Sequence, residues 1–365
     1  MAVRLLFLAD THLGFDLPSR PRVEKRRRGE DFFAAFELAV APALRDEVDA
    51  VVHGGDLFYR SRIPAWLAAR VFARLAAVAD AGADVFWVPG NHERSGIPRR
   101  LLLSHPRIHV FDRPRTFSVR VRGTTVTLAG FPYQRHDVRS RFPALLEQTG
   151  WRHHAAALRL LCIHHCVEGA TVGPADFVFT TAADVIRAHD LPGEFHAVLS
   201  GHIHRHQVLT ESLSGARLAA PVLYPGSIER TSTAEIGETK GYMVLELSAD
   251  TMNAPLRWEF RELPARPMLT STIPCGDASG RQLDAGLRSI VARAPADAVL
   301  VIRVAGELTA AHLRVIAATH LRSFTPATMN VEIRAQQFVR SGLRTTRPVA
   351  APNVGRREEN LQLEL

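Results

Sequence analysis

The chain predicts a mixed α/β protein: two packed sheets flanked by helices, followed by a small α/β unit. Three observations carry that prediction. Short, continuous apolar runs at residues 3–9, 49–53 and 83–88 alternate with stretches of helical periodicity at 30–47 and 64–81. Five polar clusters each close an apolar run: Asp10 to His12, Gly55 and Asp56, Gly90 to Glu93, His164 and His165, and Gly201 to His204. The composition then shifts around Leu263, Pro264, Ala265, Arg266 and Pro267, where a domain boundary is expected.

Taken in order, strand, helix, strand, helix, strand over the first ninety residues argues for parallel pairing through crossover helices. Residues 108–111, 116–121 and 124–129 are short strands, the last two joined by a turn at Arg122 and Gly123 as in a hairpin. Buried strands at 158–164 and 197–200 each deliver a histidine, and 219–224 with 241–247 are expected to complete the second sheet layer. Beyond the boundary, 280–292 and 310–319 have helical patterns and 298–304 and 329–334 strand patterns. The division expected is 1–262 for the first domain, 263–340 for a small cap, and 341–365 for a linker or partner-docking tail. No internal repeat is present.

The 365 residues suit two domains. A net charge of +8, from 45 Lys and Arg against 37 Asp and Glu, suits a polyanionic partner. Three cysteines, Cys162, Cys166 and Cys275, offer neither a disulfide framework nor a paired metal knuckle, which fits a reducing cytoplasm. The run at 3–9 lacks a basic leader and a small-residue cleavage site and so predicts a buried strand. No run approaches the length that crosses a bilayer.

The clusters are rich in Asp, His and Asn, whose oxygen and nitrogen atoms suit hard or borderline divalent ions. Strand ends hold such groups fixed at a crevice. Two ions roughly 3.5 to 4 Å apart need a bridging oxygen ligand, for which Asp56 is the candidate. Asp10 and His12, two apart, would point to one side of an extended backbone, and His202 and His204 likewise share a face. Asn91 adds a neutral amide oxygen, and His92 would face the substrate.

In this order the motifs LADTHLG, HGGDLF, PGNHE, IHHCVEG, GHIH and YPGSIER resemble the calcineurin-like metallophosphoesterase superfamily, and within it the SbcD branch of DNA repair nucleases. The segment LPARPM is similar to the lead into that branch's capping domain. The resemblance implies a two-sheet phosphoesterase sandwich. One metal would be held by Asp10, His12, Asp56 and His204, and a second by Asp56, Asn91, His164 and His202, with Mn²⁺ the usual ion and Mg²⁺ an alternative. It implies in-line attack on phosphorus by a metal-bound hydroxide, with His92 assisting the leaving oxygen. It further implies DNA and an SbcC-type coiled-coil ABC ATPase as partners, a homodimer, and Ser227, Glu229 and Arg230 at the nucleotide pocket.

Two positions depart from the branch. Tyr59 stands where a histidine tied to exonucleolytic cutting is common, and would offer a phenol or a stacking face instead. Glu93 replaces the usual Asp. His165 is expected on the opposite face from His164, and His53 and His206 receive no chemistry. The run from Arg20 to Arg28 is the densest basic patch and suits phosphate contact. Two other functions fit the same motifs: a small-nucleotide phosphodiesterase, and a DNA-end-binding scaffold with weak catalysis.

Overall fold

The computed structural model describes residues 2–16, 26–93, 105–248 and 256–337. Most of the basic run and the segment from Ser341 lie outside the described residues.

The described residues group into two compact units, one drawing on residues 1–15, 31–230 and 237–265, the other on 16–30, 231–236 and those after 265. The first unit contains two six-stranded sheets. In one, Val3–Leu8, Ala50–His53, Asp84–Trp87 and Ile108–Val110 run parallel, each beside the next. In the other, Leu158–Ile163 lies parallel to Ala197–Ser200 and to Thr124–Gly130, while Arg115–Val121 closes an antiparallel hairpin. The inner strands read as unbroken apolar runs because parallel strands are covered on both faces. Phe7, Val52, Phe86 and Met243 from one sheet meet Leu128, Leu160 and Leu199 from the other in one buried core.

Helix Ala65–Asp80 covers the outer side of the first sheet with Leu67, Val71, Phe72, Leu75 and Val78, all buried at helical spacing. It stops where Gly82 adopts φ 110°, a left-handed geometry that favours glycine after a helix end.

One strand sits in the other layer from that expected. Gly241–Leu247 pairs antiparallel with Val3–Leu8 and therefore belongs to the first sheet. Its run of buried residues suits either layer, so the sequence pattern alone does not choose; pairing shields the edge of Val3–Leu8. The polar strand Arg257–Glu262 then forms the outer edge beside it.

The second unit has three parallel strands, Met268–Pro274, Val299–Glu307 and Asn330–Gln337. Helix Gly280–Arg293 begins at a capping box in which Ser279 and Gln282 bond reciprocally. The expected helix over 310–319 is two short helices, Ala310–Val315 and Ala318–Arg322, separated at the extended Ala317, and the second brings Leu321 into the core. Arg266 secures this unit by donating to Asn330 Oδ1, Thr328 O and Asp297 O, each at 2.7 Å. Asn330 in turn donates to Arg26 O at 3.3 Å, tying the 16–30 stretch to the same unit.

Candidate active site

Every polar cluster follows the carboxyl end of a strand, and both sheets contribute. Backbone bonds zip the first two loops together: Asp10 N donates to Gly55 O at 2.9 Å and His12 N to Asp56 O at 3.0 Å. Asp10, His12, Asp56 and His202 all have positive φ, at 51°, 44°, 51° and 84°. Side-chain-bearing residues seldom adopt that region, and strain of this kind concentrates at functional sites. Asp10 and His12 thus meet through a left-handed turn and not along an extended face. The same correction applies to His202 and His204, whose side chains part: His202 Nδ1 lies 3.0 Å from Asn91 Oδ1, whereas His204 Nε2 lies 3.0 Å from His12 Nε2.

Three groups offer donor atoms within 4.8 Å of one another: Asp10, His12 and His204; His12, Asp56 and His92; and Asp10, Asp56 and His164. Asn91 Oδ1 also sits 3.0 Å from His164 Nε2. Asp56 lies between the sets, with Oδ2 3.4 Å from His164 Nε2 and 3.8 Å from His92 Nε2. Two imidazole nitrogens facing one another at 3.0 Å can share a single proton, whereas a cation uses both lone pairs. This donor set of carboxylates, an amide and imidazoles fits divalent ions such as Mn²⁺, and defines a candidate site for two metals.

Several ring orientations follow from acceptors that cannot donate. His164 Nδ1 donates to Gly54 O at 2.7 Å, which turns Nε2 inward. His92 Nδ1 donates to Tyr59 O at 2.5 Å, which leaves Nε2 toward Asp56, and the ring stays partly exposed.

Burial raises the Asp10 carboxyl to about 6. Burial would also raise Asp56, but His164 and His92 outweigh it and hold that carboxyl well below the usual range. Burial disfavours the His164 cation, yet the Asp56 carboxylate overrides this and lifts it to about 9. Near pH 7.5, above the Asp10 value and below the His164 value, the metal-free centre therefore holds an ionised Asp10 and a protonated His164. Loading a cation must expel that proton, so Mn²⁺ affinity is expected to strengthen as pH rises toward 9, with about one proton released per chain at pH 7.5. Calorimetry in two buffers of different ionisation enthalpy checks this; uptake with no proton release would contradict it.

Glycines make room for the donors. A Cβ at Gly90 would run into Asp56 Oδ1 and the Asp56 backbone nitrogen, and one at Gly201 into Gly54 O and the His164 ring. Gly90→Ala is accordingly expected to weaken Mn²⁺ binding about 10- to 100-fold, the range seen when support of a metal ligand is lost. Equilibrium dialysis checks the shift; unaltered affinity would show that Asp56 needs no such clearance.

Some supporting residues have no clear sequence signal. His53, buried and pushed down to about 3 by burial, is neutral; its Nε2 lies 3.0 Å from Thr11 Oγ1 and its Nδ1 accepts from Gly55 N at 3.2 Å. It links the loops of Asp10 and Asp56. Glu93 is buried and accepts from Phe58 N and Gly90 N, each at 2.8 Å, joining its own loop to that of Asp56. Burial first, and then Asp56, raises its carboxyl to about 8. Lys240, fully buried and 36 residues beyond His204, donates to His204 O at 2.9 Å. His53 opens HGGDLF and Glu93 closes PGNHE, but neither motif shows the supporting role, and no motif contains Lys240.

The remaining candidates separate. Tyr59 stays near the centre, its ring 5.8 Å from those of His12 and His92. Ser227 and Glu229, expected at the nucleotide pocket, are 0% and 2% exposed, and Ser227 Oγ donates to Glu229 O at 3.0 Å. Their burial shifts them from substrate contact to support: Ser227 N donates to His204 O at 3.0 Å, beside Gly226 at φ 76°. Arg230 is partly exposed and donates to Glu238 O at 3.1 Å. His206 stacks on Phe260 at 4.0 Å, away from the donors.

Strand-end donors from two stacked sheets, converging on one centre, define a metal-dependent phosphoesterase. Residues 3–206 match the calcineurin-like phosphoesterase family, and the chain belongs to it. It is similar to the DNA double-strand break repair protein Mre11 of Aeropyrum pernix, 27% identical over 305 residues covering 79% of this chain and 68% of that protein. It is also similar to Mre11 of Methanosarcina acetivorans, 29% identical over 279 residues, 74% of this chain but only 40% of that protein. The SbcD component of the SbcCD nuclease of Bacillus subtilis is 24% identical over 275 residues, 67% of this chain and 66% of that protein.

Proposed function

We propose that the chain is a hydrolase that cuts DNA phosphodiesters with two divalent cations, in the manner its similarity to Mre11 and to the SbcD nuclease component suggests. The observation that carries this reading is the position of Asp56 between two donor sets. Asp10, His12, Asp56 and His204 would hold one cation, and Asp56, Asn91, His164 and His202 the other, with Mn²⁺ the favoured ion. Bound there, the cations would polarise the phosphate and neutralise charge developing on it.

The chain's own groups do the rest. Burial of Asp10, Asp56 and His164 preorganises the donors. His92, its Nδ1 proton committed to Tyr59 O, would act as the imidazolium, presenting Nε2–H to the leaving oxygen and giving up that proton as the ester bond breaks, which leaves the ring neutral. Tyr59 would border the substrate beside it, and Arg230 is retained as a phosphate contact. The basic balance of the chain favours a polyanion. Residues 1–262 would form the catalytic domain and 263–340 the cap. An SbcC-type ATPase is the proposed partner, a homodimer the proposed assembly, and the cytoplasm the proposed location. Among the described residues no helix is long and apolar enough to cross a membrane.

The test is incubation with Mn²⁺ or Mg²⁺ and labelled linear, nicked and hairpin DNA, beside cyclic nucleotides and bis(p-nitrophenyl) phosphate. Cleavage of DNA is expected. Turnover of cyclic nucleotides with DNA left intact would replace the substrate. No turnover of any of them by metal-loaded protein would overturn the enzymatic reading in favour of an end-binding scaffold.

A further inference from the structure

A cavity of about 290 Å³ opens beside the donors, lined among others by Asn91, Pro132, Tyr133 and Arg135. Neither Tyr133 nor Arg135 has a part in holding cations. The Tyr133 ring centre is 5.6 Å from that of His202 and 6.1 Å from that of His164. One face of Tyr133 lies on the buried His165 ring, 4.8 Å away and within 17° of parallel.

The loop that carries Tyr133 is pinned on both sides. Tyr133 N donates to Pro89 O at 2.9 Å, next to the Asn91 loop, and Gln134 N donates to His165 Nε2 at 3.0 Å. Gln134 Nε2 also donates to Pro132 O at 2.9 Å. His165 thus has a use beyond core filling, as both platform and anchor for Tyr133. An aromatic ring held this way loses little freedom when a flat ligand settles on it.

We propose that this cavity is a nucleoside subsite, in which Tyr133 takes the base next to the scissile phosphate and Arg135 the adjoining phosphate. This rests on the phosphodiesterase reading. A phosphate seated near Asn91 and His202 carries its ester substituent into the space next to it, and in a nucleic acid that substituent is a nucleoside. Aromatic faces accept any base, and an Arg two residues away supplies a guanidinium for the backbone.

Binding of dTMP, 2-deoxyribose 5-phosphate and inorganic phosphate to the Mn²⁺-loaded protein tests it by calorimetry, without turnover. The wild-type protein is expected to bind dTMP about tenfold or more tighter than the other two, the stacking contribution of one base. Tyr133→Ala should bring the dTMP to phosphate ratio close to one, and Tyr133→Phe should restore it. Equal affinity of the wild-type protein for dTMP and deoxyribose 5-phosphate would overturn the subsite, as would an unchanged ratio in Tyr133→Ala. A protein that cuts no phosphodiester yet shows the dTMP preference would overturn the proposed reaction and leave the subsite standing.

Discussion

Asp56→Asn is expected to lower phosphodiester hydrolysis by at least about a thousandfold, some 4 kcal/mol of barrier, and to reduce bound Mn²⁺ below two per chain. The expectation follows from position and charge. Asp56 is buried, sits at φ 51°, accepts from His92 N at 2.9 Å through Oδ1, and turns Oδ2 toward His164. Asparagine keeps an oxygen for the His92 amide, so the fold has little reason to fail. What it removes is the charge that both donor sets face. Thermal unfolding close to wild type, together with lost metal and lost activity, is the expected combination. Retention of two ions and full activity would show that the Asp56 carboxylate does not join the two metal positions.

His92→Ala should separate proton handling from metal binding. Its Nδ1 is occupied by Tyr59 O and its Nε2 stands 3.8 Å from Asp56 Oδ2, at the partly exposed side of the site. Loss of a positioned acid typically lowers kcat about 10²- to 10⁴-fold. Metal content should stay at the wild-type level, because the remaining donors are untouched. The loss should be greater for DNA, whose alkoxide leaving group needs a proton, than for bis(p-nitrophenyl) phosphate, whose phenolate does not. Equal losses on both substrates, or a missing ion, would assign His92 to the metals.

The strand ends that deliver these groups were legible because a buried parallel strand is an unbroken apolar run, against which the polar residues just past its end stand out. Val3–Leu8, Ala50–His53 and Asp84–Trp87 could be located this way, and Asp10, Asp56 and Asn91 lie in the loops that follow them. Layer membership was not legible for Gly241–Leu247, since burial on both faces is the same in either sheet. Edge strands such as Gln207–Glu211 and Arg257–Glu262 escaped because half their residues face water and lack an apolar run. Helix Val138–Gln148 was hidden by Pro143 within it.

Within the site, residue types were readable but their geometry was not. The spacing of Asp10 with His12, and of His202 with His204, suggested shared faces on extended chain. Left-handed backbone at Asp10, His12 and His202 produces the convergence instead. Long-range support was out of reach of motif reading. Nothing near His204 in the sequence points to Lys240, and His53 looks like an ordinary strand residue until its two ring nitrogens are seen to meet Thr11 and Gly55.

On this reading Asp56 joins two metal positions in one centre. Anomalous scattering from crystals grown with Mn²⁺ tests it most directly. Two manganese peaks are expected, one contacting Asp10, His12 and His204, the other Asn91, His164 and His202, with Asp56 touching both. A single peak, or two peaks without Asp56 between them, would contradict it.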